Sequence, residues 1–201
     1  MIIGVKANGK VAAEAALKMN RWERIAFLED DPSISFCMGI RIVDRIDEVF
    51  KYINDYEILV ALGDNKIRAQ LHEEMKKAGA VIPKVVHPAA VIGEMVEIGR
   101  GTVVMAGAII NCSSRIGEGC MICSGASIDH DNLIEDYVHI APGVHTAGTV
   151  TIGKHSWVGI GSVISNNISI ASDSTIGAGA VVLKNIIEAG IYAGVPARKI
   201  K

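Results

Sequence analysis

The sequence predicts a small α/β domain followed by a parallel β-helix. Three observations carry that prediction. From Ile92 to Val182 every sixth residue is aliphatic at fifteen of sixteen positions, with Thr146 the exception. The position four residues later is usually small, as in Thr102, Ala108, Ser114, Cys120, Ala126, Ser156, Ser162, Ser174 and Ala180. Upstream of Val85 the texture differs, with apolar strand-like runs alternating with amphipathic helical ones. A period of six suits neither a helix, at about 3.6 residues per turn, nor the alternation of a single strand. It suits a coil of short strands, in which each strand turns one aliphatic side chain inward and each bend starts the next. The small-residue series fits the same shape, because the corners of a narrow prism have no room for larger side chains.

The elements follow in order. Met1–Val5 reads as a short apolar strand, and Gly9–Asn20 as a helix with Val11, Ala12, Ala15, Ala16 and Met19 on one side. Arg24–Leu28 is a second apolar run, closed by Glu29, Asp30, Asp31 and Pro32. The spacing of Ile46, Val49, Phe50 and Ile53 predicts an amphipathic helix over Asp44–Asp55. Glu57–Leu62 reads as a buried strand stopped at Gly63, and Asp64 opens a helix through Lys77 that Gly79 ends. Strands alternating with helices imply a small parallel sheet of Rossmann type over residues 1–85. Residues 86–183 form the β-helix, and residues 184–201 leave its register as a tail that caps the last coil, with an extended element at Tyr192–Ala197.

An open β-helix exposes strand edges at both ends. The α/β domain is expected to cover the first end and the tail the second. The outward residues of the prism include Val103, Met105, Ile109, Met121, Tyr137 and Trp157, too apolar for plain solvent. Self-association with closed symmetry covers such sides, and a homotrimer is expected.

Composition excludes several classes. The net charge of −2 offers no basic face for nucleic acid. The longest apolar runs fall far below the roughly 18 residues of a membrane span. No charged, apolar leader opens at Met1, so a cytoplasmic protein is expected. Cys37, Cys112, Cys120 and Cys123 form no disulfide framework, which agrees with a reducing compartment. Cys120-Met121-Ile122-Cys123 has no second cysteine pair or histidine cluster to complete a metal site, and no metal is expected.

The hexapeptide series, the α/β amino-terminal domain, the His130-Asp131 pair and Gly194-Val195-Pro196-Ala197 together resemble a known family. It is the hexapeptide-repeat sugar acyltransferases of the sialic acid O-acetyltransferase and bacillosamine N-acetyltransferase group. The resemblance covers essentially the whole chain. It implies a left-handed β-helix, a trimer with intersubunit active sites, acetyl-CoA as acyl donor and a sugar, often nucleotide-linked, as acceptor. It implies His130 as general base, with Asp131 at the position of an acid, usually glutamate, that orients the histidine and raises its basicity. His139 aligns with a histidine that contacts acetyl-CoA, and Ile160 and Ala178 with positions whose backbone meets coenzyme A. The family's Gly-rich turn after the first strand is here Gly4-Val5-Lys6-Ala7-Asn8-Gly9, which keeps the outer glycines but has Ala7 and Asn8 in place of a glycine and a histidine. Lys6, Ala7 and Asn8, with Glu29, Asp30 and Gly63, are the implied substrate contacts, all at strand carboxy ends where open α/β sheets bind ligands.

Spacing adds one argument of its own. If three hexapeptides make a coil, residues 18 apart stack, so Gly148 lies one coil beyond His130 and Cys112 one coil before it. A glycine beside the base leaves space for a thioester. By the same rule Trp157 stacks on His139, so packing against Trp157 and contact with acetyl-CoA are equal readings of that histidine. His145 and His155 have no matching role. Three alternatives stay open: O-acetylation of free sialic acid, a β-helix scaffold without catalysis, and a γ-carbonic-anhydrase-like metalloenzyme using His130, His139 and His145.

Overall fold

The computed structural model of the protein describes residues 1–6 and 8–201. Ala7, expected to touch substrate, lies outside the described residues. The amino-terminal sheet contains β1 (Ile2–Ile3), β2 (Phe27–Leu28), β3 (Phe36–Cys37), β4 (Ile40–Asp44) and β5 (Leu59–Val60) in the order β3-β4-β2-β1-β5. All neighbours are parallel except the edge pair β3 and β4. Helix α1 (Asn8–Met19) buries Ala12, Ala13, Ala15 and Ala16, whose small side chains let it approach its neighbours closely. Helix α2 (Asn65–Lys77) starts at Asp64, whose carboxylate accepts the backbone N–H groups of Lys66 and Ile67, both at 2.9 Å. It ends with Gly79 at a φ of 77°, with Gly79 N–H bonded to Lys76 O and Ala80 N–H to Met75 O, a Schellman closure.

The helix expected over Asp44–Asp55 is not continuous. Its start is strand β4, and only Ile46–Lys51 winds, as a 3₁₀ turn. The hairpin that adds β3 and β4 to the sheet was not foreseen. Its signal is Met38-Gly39, both at positive φ (54° and 75°), the two-residue turn that matches strand twist. Ile40, Ile42 and Asp44 on one side of β4 follow strand alternation, which overrides the helical spacing further along.

From Val85 the chain winds as a three-sided prism of two-residue strands. One face stacks the strands from Val91–Ile92 to Val181–Val182, and the second those from Glu97–Ile98 to Ser169–Ile170. The third runs from Val85–Val86 to the tail. Parallel partners from Val85 to Val182 are 18 residues apart, as in Ile110↔Ile128 and Ile128↔Thr146, and the tail joins at 16, as in Thr175↔Ile191. The aliphatic series from Val104 to Val182 is buried within one core. At the corners, Thr102, Ser114 and Ser162 are fully buried and donate their hydroxyls to carbonyls of Gly117, Asp129 and Gly177 at 2.7–2.9 Å. The small series therefore ties coil to coil as well as fitting the space. In the tail, Ile191–Ala193 pairs with Thr175–Ile176 and folds back on Arg198–Lys199. No helix among the described residues is long and apolar enough to cross a membrane.

The α/β domain does not cover the first end of the prism. It lies against the third face, where Val85, Val103, Met105, Met121 and Cys123 share a core with Ile2, Val5, Ala12 and Ala16. Val103, Met105, Met121 and Tyr137 are therefore buried by the chain itself, whereas Ile109 stays exposed and Trp157 is half-buried. Of the outward residues expected to drive self-association, most meet the amino-terminal domain instead. The inner and outer series predict opposite mutational costs. Ile134→Ala removes a fully buried inward side chain and is expected to cost about 2–5 kcal/mol. Arg115→Ala, on an exposed outer position, should change stability by less than about 0.5 kcal/mol. Denaturant unfolding followed by circular dichroism compares the two.

Candidate active site

The strand Ser127–Ile128 ends one residue before a corner that carries His130 and Asp131. Asp131 sits at a φ of 58°, as the coil geometry requires there. That turn aims its carboxylate back at the preceding ring, and His130 Nδ1 lies 2.7 Å from Asp131 Oδ2. The shorter acid thus reaches the imidazole. A carboxylate only accepts, so the contact places the ring proton on Nδ1 and leaves Nε2 with a free lone pair. The hydrogen bond to Asp131 raises the His130 pKa above its ordinary 6.5. Both side chains are about half exposed, at 52% and 57%. Gly148 stacks where spacing put it. A Cβ there would lie 2.5 Å from His130 Cε1 and Nε2, so only glycine leaves the open edge of the ring clear.

The expected substrate residues gather at the other domain's strand ends. Gly4, at a φ of 87°, and Gly9 close a tight turn, since a Cβ on Gly9 would collide with the Gly4 carbonyl. The turn delivers the chain into α1 with Asn8 at its amino end, and Asn8 Nδ2 lies 3.4 Å from where a Cβ on Gly63 would stand. Lys6 pairs with Asp31 at 3.1 Å. Glu29 uses both oxygens internally, on Val5 N–H at 3.0 Å and on the N–H groups of Asp30 and Asp31. Asp30 accepts from Ile46 N–H at 3.0 Å. The acidic stretch therefore braces the strand ends. Of the expected contacts, Asn8 and Gly63 adjoin each other, and Lys6 joins the acidic stretch through Asp31.

His139 lies on the third face beneath the amino-terminal domain and is 8% exposed. It packs edge-on against Trp157, with ring centroids 6.2 Å apart, as stacking predicts. Burial and the Arg68 charge push its pKa down to about 4, with the Gly63 backbone working weakly the other way. Cys123 Sγ approaches His139 Nε2 at 3.4 Å, yet burial lifts that thiol to about 12, so the pair is no nucleophile and base. Ile160 and Ala178 stack on the corner between the third and first faces, both exposed, and neither N–H has a partner among the described residues. His145 bonds Ser127 at 2.7 Å on the first face. His130, His139 and His145 thus occupy different sides of the prism. His72, Glu73 and Glu118 come close enough to hold a cation among the described residues, but the Lys76 ammonium already lies 3.0 Å from Glu73 and 2.6 Å from Glu118.

One residue that spacing did not reveal fixes the two units together. Arg68, fully buried on α2, donates to Gly119 O at 2.7 Å, Leu62 O at 2.9 Å, Tyr137 O at 2.9 Å and Asn65 Oδ1 at 2.8 Å. Asn65 in turn donates to His155 O at 2.8 Å. Burial lowers the Arg68 pKa to about 10, which still leaves it charged at neutral pH. Its position on the helix face gave no sign of burial, because an arginine there ordinarily faces water.

A family profile described as the PglD N-terminal domain matches residues 1–75, and one described as bacterial transferase hexapeptide (six repeats) matches residues 149–184. The acetyltransferase domain of PglB from Neisseria gonorrhoeae FA1090 superposes with a TM-score of 0.95 at 33% identity, over 99% of this chain and 98% of that one. The chain belongs to this family of hexapeptide-repeat sugar acetyltransferases. Its fold is accordingly the family's α/β domain followed by a left-handed β-helix. PerB from Caulobacter crescentus, solved with CoA and GDP-perosamine, is similar at 30% identity with a TM-score of 0.93, over 100% of this chain and 96% of that chain. UDP-N-acetylbacillosamine N-acetyltransferase of Bacillus subtilis (strain 168) is 36% identical over 109 residues, 52% of this chain. That match spans 50% of the relative's length.

The His130–Asp131 bond can be measured without substrate. Proton-detected titration of the imidazole should give a pKa above 6.5 in the parent protein. Asp131→Asn, which removes the acceptor charge, should bring it back toward 6.5. An unchanged value would show that Asp131 does not hold the ring.

Proposed function

We propose that the protein transfers the acetyl group of acetyl-CoA to an amino group on a nucleotide-linked sugar, with His130 as general base. The observation that carries this reading is the His130–Asp131 pair with a free Nε2 beside Gly148. The relatives support the substrates: PglB's domain was solved with acetyl coenzyme A, and PerB with CoA and GDP-perosamine. In the step proposed, the sugar nitrogen attacks the thioester carbonyl while His130 Nε2 takes its proton. The tetrahedral adduct then expels coenzyme A as a thiolate, which takes that proton from the imidazolium. The base must be neutral to begin. Because its pKa is raised, activity is expected to climb with pH through a value above 6.5, and to be lost below it.

The same reading calls for a homotrimer with shared sites. The amino-terminal domain packs on the third face, whereas His130 stands on the corner between the first and second faces, opposite it. A chain's own base thus has the thickness of the prism between it and its own Asn8–Gly63 turn. A neighbouring copy supplies a sugar pocket to each base. Val91, Ile109 and Val163 leave exposed apolar surface on the first face, beside the His130 corner.

Thiol release on a panel of nucleotide-linked amino sugars, nucleotide-linked hydroxyl sugars and free sialic acid tests the acceptor. Turnover on free sialic acid alone would overturn the nucleotide-sugar reading. His130→Ala should reduce kcat by about 10²- to 10⁴-fold. Gly148→Val should disable the enzyme by crowding the ring, and full activity in that variant would count against the slot. Sedimentation equilibrium should give three times the chain mass.

A further inference from the structure

The corner series has one member out of type. Its slots hold Val, Thr, Ala, Ser, Cys or Ile at every coil except one, and the exception is Asn132, on the turn that carries His130. We infer that Asn132 is a positioning residue for the catalytic base, holding the His130 turn by its carbonyls at the expense of fold stability. This rests on His130 being the base proposed above.

At Ser114, Ser156 and Ser162 the corner hydroxyl makes one forward bond, to the carbonyl 15 residues on, of Asp129, Ala171 and Gly177, whereas Ser174 Oγ has no partner among the described residues. Asn132 makes the equivalent bond, from Nδ2 to Ala147 O at 2.9 Å. Its longer side chain then does what serine is too short to do. The same Nδ2 reaches the Asp129 carbonyl at 2.8 Å and the His130 carbonyl at 3.2 Å. The carbonyls on either side of the His130 Cα are thus held from beneath, and the next coil is tied to the same point. Thr149 N–H adds a bond to His130 O at 3.0 Å. The backbone that sets the direction of the imidazole is fixed from inside the prism, leaving its open edge free for ligand.

The arrangement carries a cost that packing alone would not select. Asn132 is 2% exposed, and its Oδ1 is buried with no hydrogen-bond donor among the described residues. A buried acceptor without a donor is destabilising. In the same column of corners, serine fills the slot one coil earlier without an orphan atom, as Ser114 does with its bond to Asp129 O, although the hydroxyl of Ser174 at another corner is unpartnered among the described residues. A local rule broken once, at the turn with the reactive group, marks function rather than packing.

The test is Asn132→Ser, which installs the residue used at other coils, with Asn132→Thr as a second variant. Expected are a melting temperature equal to or above the parent's, a kcat lower by about tenfold, and KM values for acetyl-CoA and sugar within twofold. The His130 imidazole pKa should move toward 6.5 as the ring loses its fixed approach to Asp131. A kcat within twofold of the parent in both variants overturns the inference, and so does a kcat loss matched by a lower melting temperature. If His130→Ala retains full activity, the base assignment itself has failed, which is a different result from an active parent with an indifferent Asn132. If one variant does not fold, the other gives the answer. If neither folds, Asn132 is a structural requirement and the inference is overturned.

Discussion

Every spatial relation in the β-helix depends on coil closure after 18 residues. From Val85 to Val182 parallel bonds join strands 18 positions apart, and each inward aliphatic side chain rests on its counterpart in the next coil. The register leaves no freedom to slip, because a one-residue shift would turn the aliphatic series outward. The corners obey the same rule. Many of them hold a residue at positive φ, among them Ser113, Asp131, Thr149 and Asn167 on the edge that carries His130. Asp131 takes that backbone geometry from the architecture. The direction of its carboxylate, and hence the proton on His130 Nδ1, follows from winding the prism.

The second constraint is the buried Arg68. A charge removed from water is costly unless it is well hydrogen-bonded, and this one is met mainly by hydrogen bonds, with the Asp64 charge supporting it from nearby. Carbonyls of both units and an amide oxygen satisfy it, so the two units are held in one relation. That relation hides most of the third face and puts Asn8 and Gly63 on the opposite side of the prism from His130. In the trimer proposed above, neighbouring subunits become part of the chemistry as well as of stability. It also explains why His130 is half exposed in one chain. In that proposed assembly another copy and the ligands exclude water from His130, which strengthens every charge interaction there.

The chain shows how a repeating scaffold accommodates a reactive site. The repeat supplies a stable wall at small cost in sequence, since aliphatic and small residues suffice at most positions. Departures from it stand out. Thr146 replaces the aliphatic series one coil above Ile128, and its buried hydroxyl has no partner among the described residues. Asn132 replaces the small series one turn away. Gly148 clears the edge of the ring. All three lie within a coil of His130.

Much of this was legible in the sequence because the β-helix is close to one-dimensional. The period gave the prism, the 18-residue stack gave Gly148 beside His130 and Trp157 over His139, and the resemblance supplied the handedness. The amino-terminal domain was legible only in outline. Its hairpin over Phe36–Asp44 drew no reading from the sequence, and its two-residue strands β1, β2 and β5 are too short for alternation to define. The resemblance implied Glu29 and Asp30 as ligand contacts, and the hydrogen bonds their carboxylates accept come from backbone N–H groups. What tertiary structure alone decided is where the α/β domain docks. Periodicity fixes which residues point outward on each face; it does not say which outward face another surface will cover. That choice was made by Arg68 and the apolar third face together, through contacts between residues 50 and more positions apart.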